Sequence, residues 1–221
     1  MNKRTIIMTA TSAMAAVVMA QTAVKPAIPQ DKEIERKVEK TLAGMTLDEK
    51  IGQMCEITVD VVTDWSSPDD FRLSREKLDT IIRQYKVGSI LNVPLSVAQT
   101  KEKWAESIAE IQKMSMEAIG IPCVYGVDQI HGTTYTLGST LFPQPINQAA
   151  SFNRAIPYRV SQVCAYESRA CDIPWIYAPV MDLGRNPVWP RMWESFGEDC
   201  YVNAVMGSRA VKGFQGDDPT T

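Results

Sequence analysis

What this chain has little of narrows its chemistry first. It holds one histidine, His131, and its five cysteines, Cys55, Cys123, Cys164, Cys171 and Cys200, are scattered with no CxxC pair. A metal centre built on imidazole or thiolate needs those groups in clustered spacing, so no metal site of that kind is indicated. No phosphate-cradling glycine loop is present, since the glycines near Gly126 and Gly132 lack the spacing, and no cofactor is implied. The cysteines are odd in number, and a chain this long builds a core without cross-links. Most of the thiols therefore read as buried small hydrophobes.

An excess of one charge is also missing. Twenty-three basic residues stand against 26 acidic ones, with no basic stripe. A phosphate-backbone binder shows such a stripe, so nucleic acid is not an expected partner. Long apolar runs are confined to the start: Lys3 and Arg4 lead into an uncharged stretch over 6–19, and Val18-Met19-Ala20 offers a cleavage pattern before Gln21. Residues 1–20 read as a secretory signal peptide, too short and wrongly flanked to span a bilayer. The mature chain is then exported, periplasmic or extracellular, with no membrane span. Residues 21–30, with Pro26 and Pro29, read as a linker, and 31–221 as part of one domain.

What is present is an alternation of elements. An amphipathic helix is predicted over 31–43, with Ile34, Val38 and Leu42 on one face and Gly44 ending it. Thr46 and Glu49 form a capping box that starts a short helix toward Met54. Alternation over 56–62 suggests a strand. A helix over 78–85, a strand over 87–92, a helix over 101–119 and a strand over 123–128 follow. After a loop come a helix over 153–171, a strand over 175–180, and a helix over 199–212 stopped by Gly213. Apolar strands that do not alternate, separated by helices, demand a parallel sheet covered on both faces or closed into a barrel. Asn92, Asp128 and Asp182 fall just past strand ends, where ligand chemistry gathers in such folds. A full barrel takes about 250 residues, and three or four strand–helix units are visible.

The segment from Ala178 to Asp199 carries the densest chemistry: Asp182, Arg185, Arg191, Glu194, Glu198 and Asp199 among Trp189, Trp193 and Phe196. Flat aromatic faces beside forked charged groups suit a neutral, hydroxyl-rich ligand, and sugar is the first to consider. Asp128 can accept vicinal hydroxyls in charge-assisted bonds. His131 could donate to a ligand or fasten its loop. Arg185 and Arg191 both offer rigid forks, and not both need meet the ligand. Glu194 could orient Arg191 or touch a hydroxyl. Glu198 and Asp199 could complement the helix N-terminus that follows. Trp189 and Trp193 could stack on a ring or pack beneath the loop.

In order, GVDQIHG, GSTLFPQPIN, YESRA, APVMDLGRNPVWPRMWESFGEDCYVNAVMG and AVKGFQG resemble glycoside hydrolase family 3, its bacterial β-glucosidase-like members above all, from about Thr46 onward. The resemblance implies an α/β fold, here an incomplete (β/α)8 TIM-barrel-like domain, in a retaining enzyme acting on terminal β-linked sugars of an oligosaccharide or glucoside. It implies that Asp128 and Arg191 bind the sugar. It also implies that a Lys-His pair, the nucleophilic Asp and the acid/base residue belong to a C-terminal part of the enzyme beyond Thr221, leaving this fragment without catalytic residues. Thr63-Asp64-Trp65 mimics the nucleophile motif but lies upstream of GVDQIHG, the wrong order. Asn186 and Cys200 depart from the common Asp and Pro. Open alternatives are a non-catalytic sugar- or partner-binding α/β domain, and a β-xylosidase or exo-glucanase of the same family.

Overall fold

The computed structural model describes residues 30–66 and 70–216. The expected signal peptide, and the linker up to residue 29, lie outside the described residues. The chain divides into two units, one ending at Gly44 and the other beginning at Met45. In the first, helix α1 (Lys32–Gly44) is exposed throughout, including its stripe of Ile34, Val38 and Leu42. Asp31 starts it by accepting the Glu33 and Ile34 N–H groups at 2.8 and 3.3 Å. Gly44 is its last residue rather than the one after it.

The second unit opens on α2 (Leu47–Gln53), and the capping box is there: Thr46 Oγ1 accepts the Glu49 N–H while Glu49 accepts the Thr46 N–H at 2.8 Å. Strand β1 is Glu56–Thr58, and α3 (Arg75–Leu78) runs on into a π-helical turn, Asp79–Gln84. Then come β2 (Ser89–Leu91), α4 (Lys101–Ile119), β3 (Val124–Val127), α5 (Pro145–Ala150), α6 (Ala155–Arg169), β4 (Trp175–Ile176) and α7 (Cys200–Gln215). The sheet order is β1-β2-β3-β4 with every pair parallel. These four strand–helix units make an α/β fold, an incomplete (β/α)8 TIM-barrel-like arrangement.

Four expectations are corrected by packing. The predicted strand over 56–62 ends at Thr58, and Val59–Val62 winds as a 3-10 turn. Val59 and Val62 are fully buried while Val61 is not, and three residues per turn is the geometry that sends both into the core. The strand expected over 175–180 stops at Ile176 and is followed by a cis Ala178–Pro179 bond; Pro179 has no N–H to give a ladder. The loop before α6 contains α5, which starts on Pro145 and buries Pro145, Gln148 and Ala149 at helical spacing. Gly213 does not stop α7, which runs to Gln215 and is capped by Gly216 at φ +74°. Gly213 is instead buried where α7 crosses α6: an added Cβ would overlap the Tyr158 carbonyl oxygen and sit 2.8 Å from Ser161 Cβ.

The main core lies between one face of the sheet and α3 and α4. Ile90, Tyr125 and Val127 from the strands meet Leu78, Ile82, Ile108 and Ile111. Trp104 is fully buried there, edge-on to Tyr125 with centroids 5.8 Å apart, and its indole N–H donates to the Tyr135 carbonyl at 3.1 Å. The opposite face of the sheet carries a polar cluster. Glu56 on β1 accepts from the Ser89 hydroxyl at 2.7 Å and from the Tyr177 hydroxyl. The Tyr177 ring reaches that acid by lying where a side chain on Gly126 would be.

Candidate functional site

The C-terminal strand ends place Asn92 and Asp128 side by side. Asn92 follows β2 with φ +66°, a left-handed conformation that asparagine tolerates better than most residues. Its backbone is held on both sides: its N–H donates to Gly126 O at 2.8 Å, and its carbonyl accepts the Tyr125 hydroxyl at 2.7 Å. Its side-chain amide then engages Asp128 twice. Asn92 Nδ2 donates to Asp128 Oδ2 at 3.0 Å, and the Asp128 N–H donates to Asn92 Oδ1 at 3.0 Å. Asp128 is half-buried, and among the described residues its Oδ1 takes no hydrogen bond.

The loop between β4 and α7 brings the second set of groups. Its floor is a small apolar cluster in which Phe196 packs with Ala149, Met206 and Ala210. Buried Asn203 on α7 ties the loop down by donating to the carbonyls of Asp182 at 2.9 Å and Met181 at 3.3 Å. Gly184 pairs with Gly197 across the loop, N to O at 3.1 Å. A short turn, Met192–Glu194, places Glu194 beside Arg191, whose Nε and Nη2 both donate to Glu194 Oε2, at 2.7 and 2.6 Å. The Arg191 side chain is 51% exposed and that of Glu194 14%, so the acid anchors an open guanidinium with donors to spare.

Charge links the two sets. The bond to Glu194, and then the negative charges of Asp128 and Asp182, push the Arg191 guanidinium further up. Burial first, then Asp128 and Glu194, raise the Tyr135 hydroxyl against the pull of Arg191. Tyr177 is pushed up to about 12 by burial and by its bond to Glu56, with Asp128 adding to it. Asp128, Arg191, Glu194, Asp182 and Tyr135 thus share one field. An array of this kind can accept hydroxyl protons and donate to hydroxyl oxygens.

The other residues singled out in the sequence go elsewhere. His131 Nδ1 lies 2.7 Å from the Phe142 carbonyl, and the His131 carbonyl accepts the Phe142 N–H at 2.9 Å. A carbonyl only accepts, so Nδ1 carries the proton and the ring fastens its own loop. Arg185 is exposed and turns to the Glu198 carbonyl and the Cys200 sulfur, at 3.4 and 3.1 Å. Asp199 caps α7 through the Val202 N–H at 2.8 Å. Trp189 is half-buried and Trp193 exposed. Asp64 accepts the Ser66 N–H at 2.9 Å within its own turn. Tyr135 and Tyr177 escaped the sequence reading, because each comes into place through contacts made tens of residues away. Two apolar clefts lie apart from these groups: one of about 460 Å³ at the opposite ends of β3 and β4, lined by Pro122, Val124 and Trp175, and one of about 570 Å³ between Phe142 and α6.

Comparison with known proteins bears on the family and the fold. Residues 46–220 match the model of the glycosyl hydrolase family 3 N terminal domain. A lysosomal beta glucosidase of Dictyostelium discoideum is 36% identical over 188 residues, covering 81% of this chain and 22% of that protein. A periplasmic beta-glucosidase of Salmonella typhimurium is 33% identical over 178 residues, covering 80% and 20%. The chain thus spans about a fifth of the length of these relatives. Among solved structures, an exo-1,3/1,4-beta-glucanase from a Pseudoalteromonas species superposes with a TM-score of 0.72 at 28% identity, over 86% of this chain and 23% of that one. A beta-glucosidase from Listeria innocua in complex with glucose gives 0.63 at 30% identity, over 82% and 24%. With its parallel strand–helix order and a family model matched over most of its length, the chain belongs to glycosyl hydrolase family 3.

Proposed function

We propose that residues 46–220 form the sugar-holding part of a retaining β-glucosidase-like hydrolase, with Asp128 and Arg191 binding the terminal sugar. The observation that carries this reading is the pairing at the strand ends. A carboxylate with one oxygen fastened and the other open stands in the same field as an open, acid-anchored guanidinium. Such charge-assisted bonds orient vicinal hydroxyls strongly. Tyr135 lines the same field, and Glu194 acts through Arg191. Arg185 and His131 serve the loops that carry the site. The nucleophile and acid/base are supplied by segments other than these residues, and export through residues 1–20 delivers the enzyme to oligosaccharides outside the cytoplasm.

Calorimetric titration of D-glucose into the protein made from its natural gene, alongside Asp128→Asn and Arg191→Ala, tests this. Each substitution removes bonds between a charged group and hydroxyls, so affinity should fall at least about 10-fold. Unchanged affinity in both variants would sink the reading. Relative turnover of aryl β-glucoside and aryl β-xyloside separates the glucosidase from the xylosidase reading. The latter draws on a protein of Formosa agariphila, named as a beta-xylosidase, that is 30% identical over 191 residues. The mass of the exported protein tests cleavage after Ala20.

A further inference from the structure

We infer that Asn92 is a positioning residue for the Asp128 carboxylate; the inference rests on the sugar-binding reading of Asp128. The last torsion of an aspartate is broad and two-fold, so an unsupported carboxylate has no fixed orientation. Asn92 removes that freedom in an economical way. Its amide oxygen takes the Asp128 main-chain N–H and its amide nitrogen holds Oδ2, both at 3.0 Å. One flat group thus locks the side chain of Asp128 against its own backbone. The lock is itself rigid, since Asn92 is held by Gly126 O and the Tyr125 hydroxyl and sits in a left-handed conformation. Being neutral, the amide supplies a donor without cancelling the charge that Asp128 presents to hydroxyls. Oδ1 is left in a set orientation, and the ordering of the carboxylate is completed before the ligand arrives.

Two substitutions separate this from simple fastening of the strand ends. Asn92→Gly keeps the left-handed backbone and its main-chain bonds but removes both side-chain bonds. Asn92→Asp keeps the shape and replaces the Nδ2 donor by a second carboxyl, which can donate only when the pair shares a proton. The groups around that pair are Arg191, Asp182 and Glu194 from the loop, with Tyr135 and Tyr177. Asp60 acts beneath, on Tyr125. The wild-type profile, measured alongside, subtracts the contribution of groups other than the pair.

The experiment is glucose titration of the protein from its natural gene, for wild type, both Asn92 variants and Asp128→Asn, at several pH values between about 7.5 and 5. Asn92→Gly should weaken glucose about 10- to 30-fold. Asn92→Asp should bind poorly at the upper pH and recover toward wild type as the pH falls. A role confined to fastening would lower the melting temperature but leave the pH slope as in wild type. Wild-type affinity in Asn92→Gly, or a wild-type pH slope in Asn92→Asp, overturns the inference while Asp128→Asn still loses glucose. If Asp128→Asn binds glucose normally, the sugar-binding role of Asp128 falls, and the positioning role of Asn92 with it.

Discussion

Gly213→Ala sets local preference against packing, and the structure decides the sign. In the interior of α7 an alanine gains about 0.8–1 kcal/mol over glycine from helix propensity alone. At Gly213 the added methyl would overlap the Tyr158 carbonyl oxygen and lie 2.8 Å from Ser161 Cβ and 3.1 Å from the Tyr158 carbonyl carbon. These neighbours belong to the body of α6 and cannot swing aside, so the two helices must separate. Overpacking of this kind costs about 1–3 kcal/mol and more against rigid backbone. The net effect is a loss of about 1–2 kcal/mol, a fall of roughly 3–8 °C in melting temperature for a protein of this size. Gly207→Ala on the same helix is the matched control. Its methyl meets the Met181 thioether, which can rotate away, so the propensity gain stands nearly alone. Differential scanning calorimetry of the two variants checks this. If Gly213→Ala melts at or above wild type, the close approach of α6 and α7 is wrong.

Three further outcomes are expected. Glu49 is held below the usual carboxylate range by the backbone and hydroxyl bonds from Thr46, so its capping contribution is present above the unfolded value and lost as pH falls through the lowered one; the protection of the Thr46 amide against exchange, taken relative to the intrinsic rate at each pH by NMR, should fall in acid, and Glu49→Gln should remove that dependence. Cys55 and Cys200 are exposed while Cys123, Cys164 and Cys171 are buried, with Cys123 pushed up to about 12 by burial. Peptide mapping after a disulfide reagent should therefore find Cys55 and Cys200 modified quickly in the native protein, and Cys123, Cys164 and Cys171 only in denaturant. Glu194→Gln should weaken glucose by about two- to five-fold with little change in melting temperature, since the Arg191 partner is solvent-exposed; a 10-fold or larger loss would mean that Glu194 touches the sugar itself.

Strongly periodic or chemically capped segments were legible in the sequence. Helix 101–119 carries its boundaries in Thr100 and Gly120, one accepting the Lys103 N–H and the other at φ +70°. The capping box at Thr46 and the helix cap at Asp199 follow from the same local chemistry. Legibility failed where distant packing overrides local pattern. Alternation over 56–62 is real, yet Val59 and Val62 answer to one core rather than to a ladder. Gly213 looks like a terminator because its local preference is all that the sequence shows. At the site, Asp128 and Arg191 stand out as charges in a motif, but the Asn92 amide that fixes Asp128 lies 36 residues upstream of it. Tyr135 enters the site's field from a loop anchored by Trp104.

GVDQIHG shows how packing and chemistry interleave in one short motif. Gly126 is small because the Tyr177 ring occupies the place of its side chain on the way to Glu56. Val127 is fully buried in the core on the other face. Gln129 is also fully buried, its Oε1 taking the Ser168 hydroxyl of α6. His131 ties its loop to Phe142, and Gly132 sits at φ +118° with Thr140 O where a methyl would go. Every one of these positions resists change for reasons of space or hydrogen bonding. Asp128 differs in being half-buried, with one carboxylate oxygen fastened by Asn92 and the other without a protein partner among the described residues. That asymmetry within seven residues is what the sugar-binding proposal for Asp128 builds on.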